Sequence, residues 1–204
     1  MIDTTWGIPT LDPAMQVRES DLPPRWVKWG SHARRFLISK RGLHFYCVDR
    51  KFTALWKHPQ TVVNMDPACV VEPNYSSWAE LPPAVSLHDT FRKRSIALAW
   101  QRLGLRVLVD LNVHPNVHPF GLLGVPIEWR AFATRAHRSG GPEAVAEDFA
   151  WASRVQGIPI ESMLCVVFGG GKLHHDACQE RGWHWVPEDA RTVRGLPACG
   201  GLSR

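Results

Sequence analysis

The chain has two tyrosines, no Cys-x-x-Cys and no apolar run near the ~20 residues that a bilayer-spanning helix requires. Its five cysteines, at 47, 69, 165, 178 and 199, are odd in number and widely spaced, which argues against a disulfide framework and a structural zinc site. The opening Met1-Ile2-Asp3-Thr4-Thr5-Trp6 lacks the basic and apolar regions of a secretory leader. These absences lead us to expect a cytoplasmic protein with no membrane partner. Several catalytic signatures are missing as well. There is no Gly-x-x-x-x-Gly-Lys-Ser/Thr phosphate loop, no Gly-x-Gly-x-x-Gly fingerprint and no Gly-x-Ser-x-Gly elbow. His114 and His118 are four apart, but Pro115 and Pro119 rule out the helix that a His-Glu-x-x-His zinc site needs. His174-His175-Asp176 is expected on a helix surface, so no metal ligands are assigned and no cofactor is implied.

What is present is a 204-residue chain, 45% hydrophobic and 21% charged, with formal charge +5 and ten tryptophans. That length and composition suit one globular domain. The moderate positive charge permits a polyanionic partner without requiring one. Most tryptophans are expected to anchor the core, since large rings bury well, although basic surfaces interleaved with rings also hold single strands.

The most informative stretch runs from Cys69 to His114. Cys69-Val70-Val71 is a short apolar run ending in Glu72-Pro73-Asn74-Tyr75-Ser76. A helical pattern follows over 83–103, with Leu87, Phe91, Ile96, Leu98, Trp100 and Leu103 expected on its inner face. Then Leu105-Arg106-Val107-Leu108-Val109 ends in Asp110-Leu111-Asn112-Val113-His114. Apolar, β-branched runs on either side of a long helix predict a parallel βαβ unit. Further units are read around it. A strand over 43–48 precedes a helix over 50–57 capped by Asp49. A strand over 131–134 precedes a helix from Pro142 to about Val155, with Val145, Phe149 and Ala152 inward. A strand over 163–168 ends in Gly169-Gly170-Gly171-Lys172 and a short helix, and 183–186 reads as a last strand.

The expected fold is therefore α/β: a single domain with a mostly parallel sheet of successive βα units, either partial-barrel-like or open and doubly wound. Residues 1–24 are expected to form an extended arm, 25–186 the α/β domain and 187–204 a flexible tail.

In such sheets ligands sit beyond the carboxyl ends of the strands. Those ends carry Glu72 and Asn74, Asp110 and Asn112, Arg135, and Gly169, Gly170, Gly171 and Lys172. Glu72 and Asp110 are the candidate acid–base or metal groups, and Arg135 is a candidate anion clamp. The glycine run can cradle a phosphate at a helix N-terminus or simply make a tight turn. The alternative for the acids is structural, with Asp110 and Asn112 capping turns and Glu72 paired to an arginine. Elsewhere, Trp26 and Trp29 alternate with charge and read as an edge strand or a stacking surface. Arg34, Arg35, Lys40, Arg41, Arg92 and Lys93 are the candidate phosphate contacts, weighed against solvated faces.

Several short motifs together resemble a known family. They are His44-Phe45-Tyr46-Cys47 with Phe52, Leu55 and Trp56; Pro73-Asn74-Tyr75-Ser76 with Leu81-Pro82; Phe91-Arg92-Lys93-Arg94 through Trp100-Gln101 and Gly104; the strand over 107–112; Gly124-Val125-Pro126; and Val166-Val167-Phe168-Gly169. Over residues 40–172 they resemble the bacterial and phage family known as domain of unknown function 4417. The family has no established activity. Its occurrence in phage and plasmid neighbourhoods implies a mobile-element role with nucleic acid, DNA before RNA, such as a replication accessory. The chain departs from the family pattern at Asn74, where an aspartate is expected. Two other readings stay open: a barrel-like enzyme acting on a phosphorylated or nucleotide-like small molecule at the strand ends, and a non-catalytic interaction module.

Overall fold

The computed structural model describes residues 5–31, 39–136 and 140–187. Arg34 and Arg35, among the expected phosphate contacts, lie outside the described residues. Seven strands follow one another in sheet order and every adjacent pair is parallel. They are β1 (Trp26–Lys28), β2 (Gly42–His44), β3 (Cys69–Val71), β4 (Val107–Asp110), β5 (Ala131–Arg135), β6 (Leu164–Phe168) and β7 (His184–Val186). The sheet curls into a nearly closed barrel within a single α/β domain. Trp26 on β1 accordingly meets Phe168 on β6 edge-on, with ring centroids 5.1 Å apart. The partial-barrel form of the expected fold is the one adopted. β1 is an edge strand, which settles one half of the ambiguity at residues 25–29.

Among the described residues, five α-helices run between the strands: α1 (Gln60–Val63), α2 (Pro83–Arg102), α3 (His118–Gly121), α4 (Gly141–Gln156) and α5 (Gly171–Arg181). Prolines in the first turns of α2, α3 and α4 fit the position where a missing N–H costs nothing. None of the described helices is long and apolar enough to cross a membrane. In place of the expected helix over 50–57 there are two 3-10 turns, Asp49–Lys51 and Thr53–Trp56. The reason lies in Asp49, whose carboxylate accepts from the backbone and hydroxyl of Ser76 rather than from its own following turn.

Alternation along a strand sorts side chains into two layers. Gly42, His44 and Tyr46 face the barrel interior, as do Cys69 and Val71, Leu108 and Asp110, and Ala133 and Arg135, in line with the registers. At Gly42 the Trp26 ring lies so close that a Cβ would sit 2.3 Å from it, so only glycine fits. The opposite layer, beneath the helices, holds Leu43, Phe45, Val70, Glu72, Val109, Phe132 and Thr134. There Phe45 stacks on Trp100 of α2 at 5.4 Å, and Thr134 donates to Asp148 of α4 at 2.7 Å. The expected inner residues of α4, Val145, Phe149 and Ala152, are all buried.

α2 departs from expectation in its phase. Ile96 and Trp100 are buried as read, but Leu103 is 50% exposed, and the remaining buried positions include Ser86, Thr90, Lys93, Arg94 and Gln101. The inner face is polar because it answers buried acceptors. Arg94 pairs both oxygens of Glu72, and donates to the carbonyls of Leu123 at 2.9 Å and Gly121 at 2.7 Å. Gln101 exchanges two hydrogen bonds with the backbone of Asp12.

The N-terminal segment packs along the barrel, burying Ile8, Leu11 and Val17. Gln16 bridges Val107 in parallel fashion, and Arg106 donates to the carbonyls of Ala14 and Gln16.

Removing one member of a buried pair strands the other's charge, a cost of ~3–5 kcal/mol. We expect Arg94→Met to lose about that much in urea unfolding, and an added Glu72→Leu to recover part of it. A loss below ~1 kcal/mol for Arg94→Met would show that the pair contributes no more than an exposed one.

Candidate functional site

The carboxyl ends of β2, β3 and β4 deliver Tyr46, Asn74, Asp110 and Asn112 to one buried cluster. Asp110 is 1% exposed. Its carboxylate accepts from the Tyr46 hydroxyl, the Asn74 amide and the Asn112 backbone, each at 3.1 Å. Lys93 reaches the same strand end from α2, donating to the Asp110 carbonyl at 3.2 Å with its ammonium 3.7 Å from the carboxylate. Asn74 also donates to the Asn112 carbonyl at 2.9 Å and accepts from the Asn112 amide at 3.2 Å. Asparagine suits position 74 because its amide donates to Asp110. An ionised aspartate there would set a second carboxylate against the first.

The electrostatics follow from burial. Desolvation pushes the Asp110 carboxyl up, opposed by Lys93, by the Asn74 amide and by the Asn112 N–H. Desolvation pulls Lys93 down, and raises the Tyr46 hydroxyl well above its usual range with help from Asp110. The arrangement binds a carboxyl, a phenol and an amine into one low-dielectric unit that can share a proton.

Glu72 does not join it. Glu72 sits one residue beyond inward-facing Val71, so it points under the helices, whereas Asp110 sits two beyond inward-facing Leu108 and points into the barrel. Glu72 is 0% exposed, and its carboxylate is taken up by Arg94 and by the Asp110 backbone N–H at 3.2 Å. The two acids expected on one rim lie on opposite faces of the sheet. Glu72 holds the structural role that was its alternative.

Around the cluster the rim is cationic. The Cys47 thiol, half-buried just past β2, is raised by burial, while Lys51, Lys28 and Arg135 all pull it down against Asp49. Lys28 ends β1, Lys51 lies on the turn after β2 and Arg135 ends β5, so three cations from separate elements sit at the carboxyl end of the barrel. Arg135, half-exposed, also acts on Tyr46. Gly169, Gly170 and Gly171 all adopt positive φ between β6 and α5, with Lys172 exposed beside them. At Gly170, with φ +81°, a Cβ would meet the His174 ring at 2.4 Å, so this glycine serves a tight turn as well as any ligand. His174 and His175, expected on the surface, are buried at 7% and 9%. Nδ1 of His174 donates to the Gly170 carbonyl, and His175 lies edge-on to Trp185.

The other expected nucleic-acid contacts divide. Trp29 is 4% exposed, packs on Phe45 and donates to the Lys51 carbonyl, so it offers no face to a base. Trp26 is half-buried over Gly42. Lys93 is buried on Asp110 rather than solvated. Arg92 lies over the rings of Tyr75 at 4.6 Å and Trp56 at 5.9 Å. Lys40 is exposed and paired with Asp66 at 3.0 Å, and Arg41 is half-exposed. Sequence reasoning passed over Tyr46, Lys28 and Lys51. Only Tyr46 left a signal, as the polar member of an apolar strand run.

Among the described residues no group of three or more His, Cys, Asp or Glu is placed to hold a metal ion.

A nearly closed, all-parallel seven-stranded sheet with helices between its strands makes this an α/β domain of the barrel-like class. More particularly, the sequence pattern of domain of unknown function DUF4417 matches residues 1–167, and the chain belongs to that family. Its curated relatives include the Gene 1 protein of Mycobacterium phage L5, 26% identical over 117 residues, covering 54% of this chain and 51% of the relative. The Gene 1 protein of Mycobacterium phage D29 is 27% identical over 128 residues, covering 60% and 46%. The chain thus spans about half the length of the relatives it matches. Both of these relatives are phage proteins. No solved structure matches it.

Burial raises the thiols of Cys69 and Cys178 from 9.0 to about 12, and raises Cys165 further. The unfolded chain ionises these thiols first, so their contribution to stability is full below pH 9 and declines as pH rises toward 12. We expect the urea midpoint to fall across that window, and a Cys69→Ala/Cys178→Ala variant to fall less steeply. Equal slopes for the two proteins would contradict the assignment.

Proposed function

We propose that this chain is a phage- or plasmid-type nucleic-acid-associated protein, of the accessory kind used in replication, and that it engages phosphates at the carboxyl rim of the barrel. The observation that carries this reading is the placement of Lys28, Lys51 and Arg135, from three separate elements, at the carboxyl end of the barrel. Cations held at one end favour a polyanion over a neutral ligand. The formal charge of +5 and the phage relatives agree with it. Lys40 and Arg41 directly precede β2 and so lie at the amino end of the barrel, apart from this rim. The glycine turn before α5, with Lys172, offers backbone N–H groups to a phosphate from the opposite side.

Neutralised phosphates release counterions, so affinity must fall with salt. We expect binding of a DNA oligomer, read by tryptophan fluorescence, to weaken steeply between ~50 and ~200 mM salt. Lys51→Ala and Arg135→Ala should each reduce the log–log salt slope by about one. Affinity that ignores salt, or slopes unchanged in both variants, would contradict the proposal.

A second reading is favoured by one observation, the buried Asp110 cluster with its raised carboxyl and phenol. Under it the barrel takes a nucleotide-like small molecule, and Asp110 handles a proton. Asp110→Asn should then abolish the fluorescence response to a mononucleotide while leaving the circular dichroism spectrum unchanged. A full response in that variant removes Asp110 from the site.

A further inference from the structure

The tryptophans with exposed rings are not those that the sequence suggested. Trp100 and Trp129 are fully buried and Trp29 nearly so, whereas Trp56 is 36% and Trp78 51% exposed. These two belong to neighbouring pieces of the carboxyl side of the barrel. Trp56 ends the second 3-10 turn after β2, and Trp78 lies in the loop after β3. The loop is tied on both flanks. Ser76 donates twice to Asp49 at 3.0 Å. On the other side Ser77 Oγ accepts from the His114 backbone at 2.7 Å, and the Asn116 amide donates to the Ala79 carbonyl at 2.8 Å.

Beside Trp56, rings and a cation pack together over Tyr75, which is 6% exposed. Phe91 contacts Trp56 at 5.5 Å, and Arg92 lies over both Trp56 and Tyr75. Arg50, Lys51 and Lys57 are exposed on the turns that carry Trp56. Of the nearby acids, Asp49 accepts from Ser76, Asp89 pairs with Arg92 at 3.7 Å, and Glu80 is exposed two residues from Trp78. The ridge therefore presents the exposed faces of Trp56 and Trp78, with the cations Arg50, Lys51 and Lys57 around Trp56.

We infer that the ridge from Trp56 across Arg92 and Tyr75 to Trp78 binds single-stranded nucleic acid, stacking unpaired bases on Trp56 and Trp78 while Arg50, Lys51 and Lys57 hold phosphates. This rests on the nucleic-acid reading and adds strandedness to it. A duplex keeps its base faces stacked inside, so exposed rings gain little from it. A single strand offers a π-face at every nucleotide, and rings set between cations follow its alternation of base and phosphate. Anchoring of the 75–79 loop on both flanks lowers the ordering cost of binding.

The test uses the full chain, an oligothymidylate of about 15 nucleotides and a duplex of the same length. We expect the single strand to bind at least tenfold more tightly than the duplex. Trp56→Ala and Trp78→Ala should each weaken oligothymidylate binding by about 5- to 100-fold and leave the salt slope unchanged. The corresponding phenylalanine variants should restore most of the affinity, and all four should keep the wild-type circular dichroism spectrum. Lys57→Ala should lower the salt slope instead. Salt-sensitive binding of both polymers, with no effect of either tryptophan, would overturn this inference and leave the rim proposal standing. Failure to bind either polymer at low salt would overturn both.

Discussion

Once β3 is buried on both faces, the carboxylate of Glu72 has no water to turn to, and the structure around it is arranged to meet that need. Arg94 supplies both oxygens from α2 and carries the carbonyls of Gly121 and Leu123 with it, joining α2, β3 and the end of α3 in one hydrogen-bonded unit. Desolvating two charges costs several kcal/mol each, and the geometry must repay it through good pairing. With Arg94 fixed, the helical spacing of α2 decides where its neighbours go. Lys93 reaches the strand end at Asp110, and Arg92 turns outward over Tyr75 and Trp56. Three consecutive basic residues thus serve three separate purposes: packing, the interior cluster and the surface ridge.

The same arithmetic explains what a reader of the sequence could and could not see. Apolar runs bounded by glycine and proline identified β2 to β6 and the parallel order, because buried parallel strands are nearly uniform in polarity. The repeated acid-x-Asn at the ends of β3 and β4 marked where polar side chains cluster. It could not reveal that Glu72 is one step from the last inward residue and Asp110 two steps from its own. A shift of one residue exchanges the two faces of a strand, and register between strands is not written in either strand alone. On α2 the apolar residues suggested one face, but the buried acceptors drew Lys93 and Arg94 inward and left Leu103 at the surface. The tryptophans misled in the same manner. Alternation of ring and charge at residues 25–29 is what an edge strand over a curled barrel produces, with Trp29 sealed against Phe45. The exposed rings at 56 and 78 had no pattern around them.

The proposed function rests on the cations at the carboxyl end of the barrel. The carboxyl rim carries Lys28, Lys51 and Arg135, and the aromatic ridge continues outward from Lys51. At the amino end a cavity of about 450 Å³ lies beneath β5 to β7, bordered by Arg18, Glu19, Arg130 and His184. Its mixed charge selects no ligand class. The family match covers residues 1–167, and the two relatives named are mycobacteriophage proteins. The carboxyl end of the barrel supplies the chemistry proposed for the chain.

The proposed ligand contact lies at the carboxyl rim and its adjoining ridge. Amide hydrogen exchange, with and without saturating oligothymidylate, tests it most directly because it reports on the entire backbone without altering a residue. We predict slowed exchange in residues 46–57, 75–79 and 169–172, with the amino-end segments 13–19 and 161–163 unchanged. Protection confined to those amino-end segments would contradict the claim.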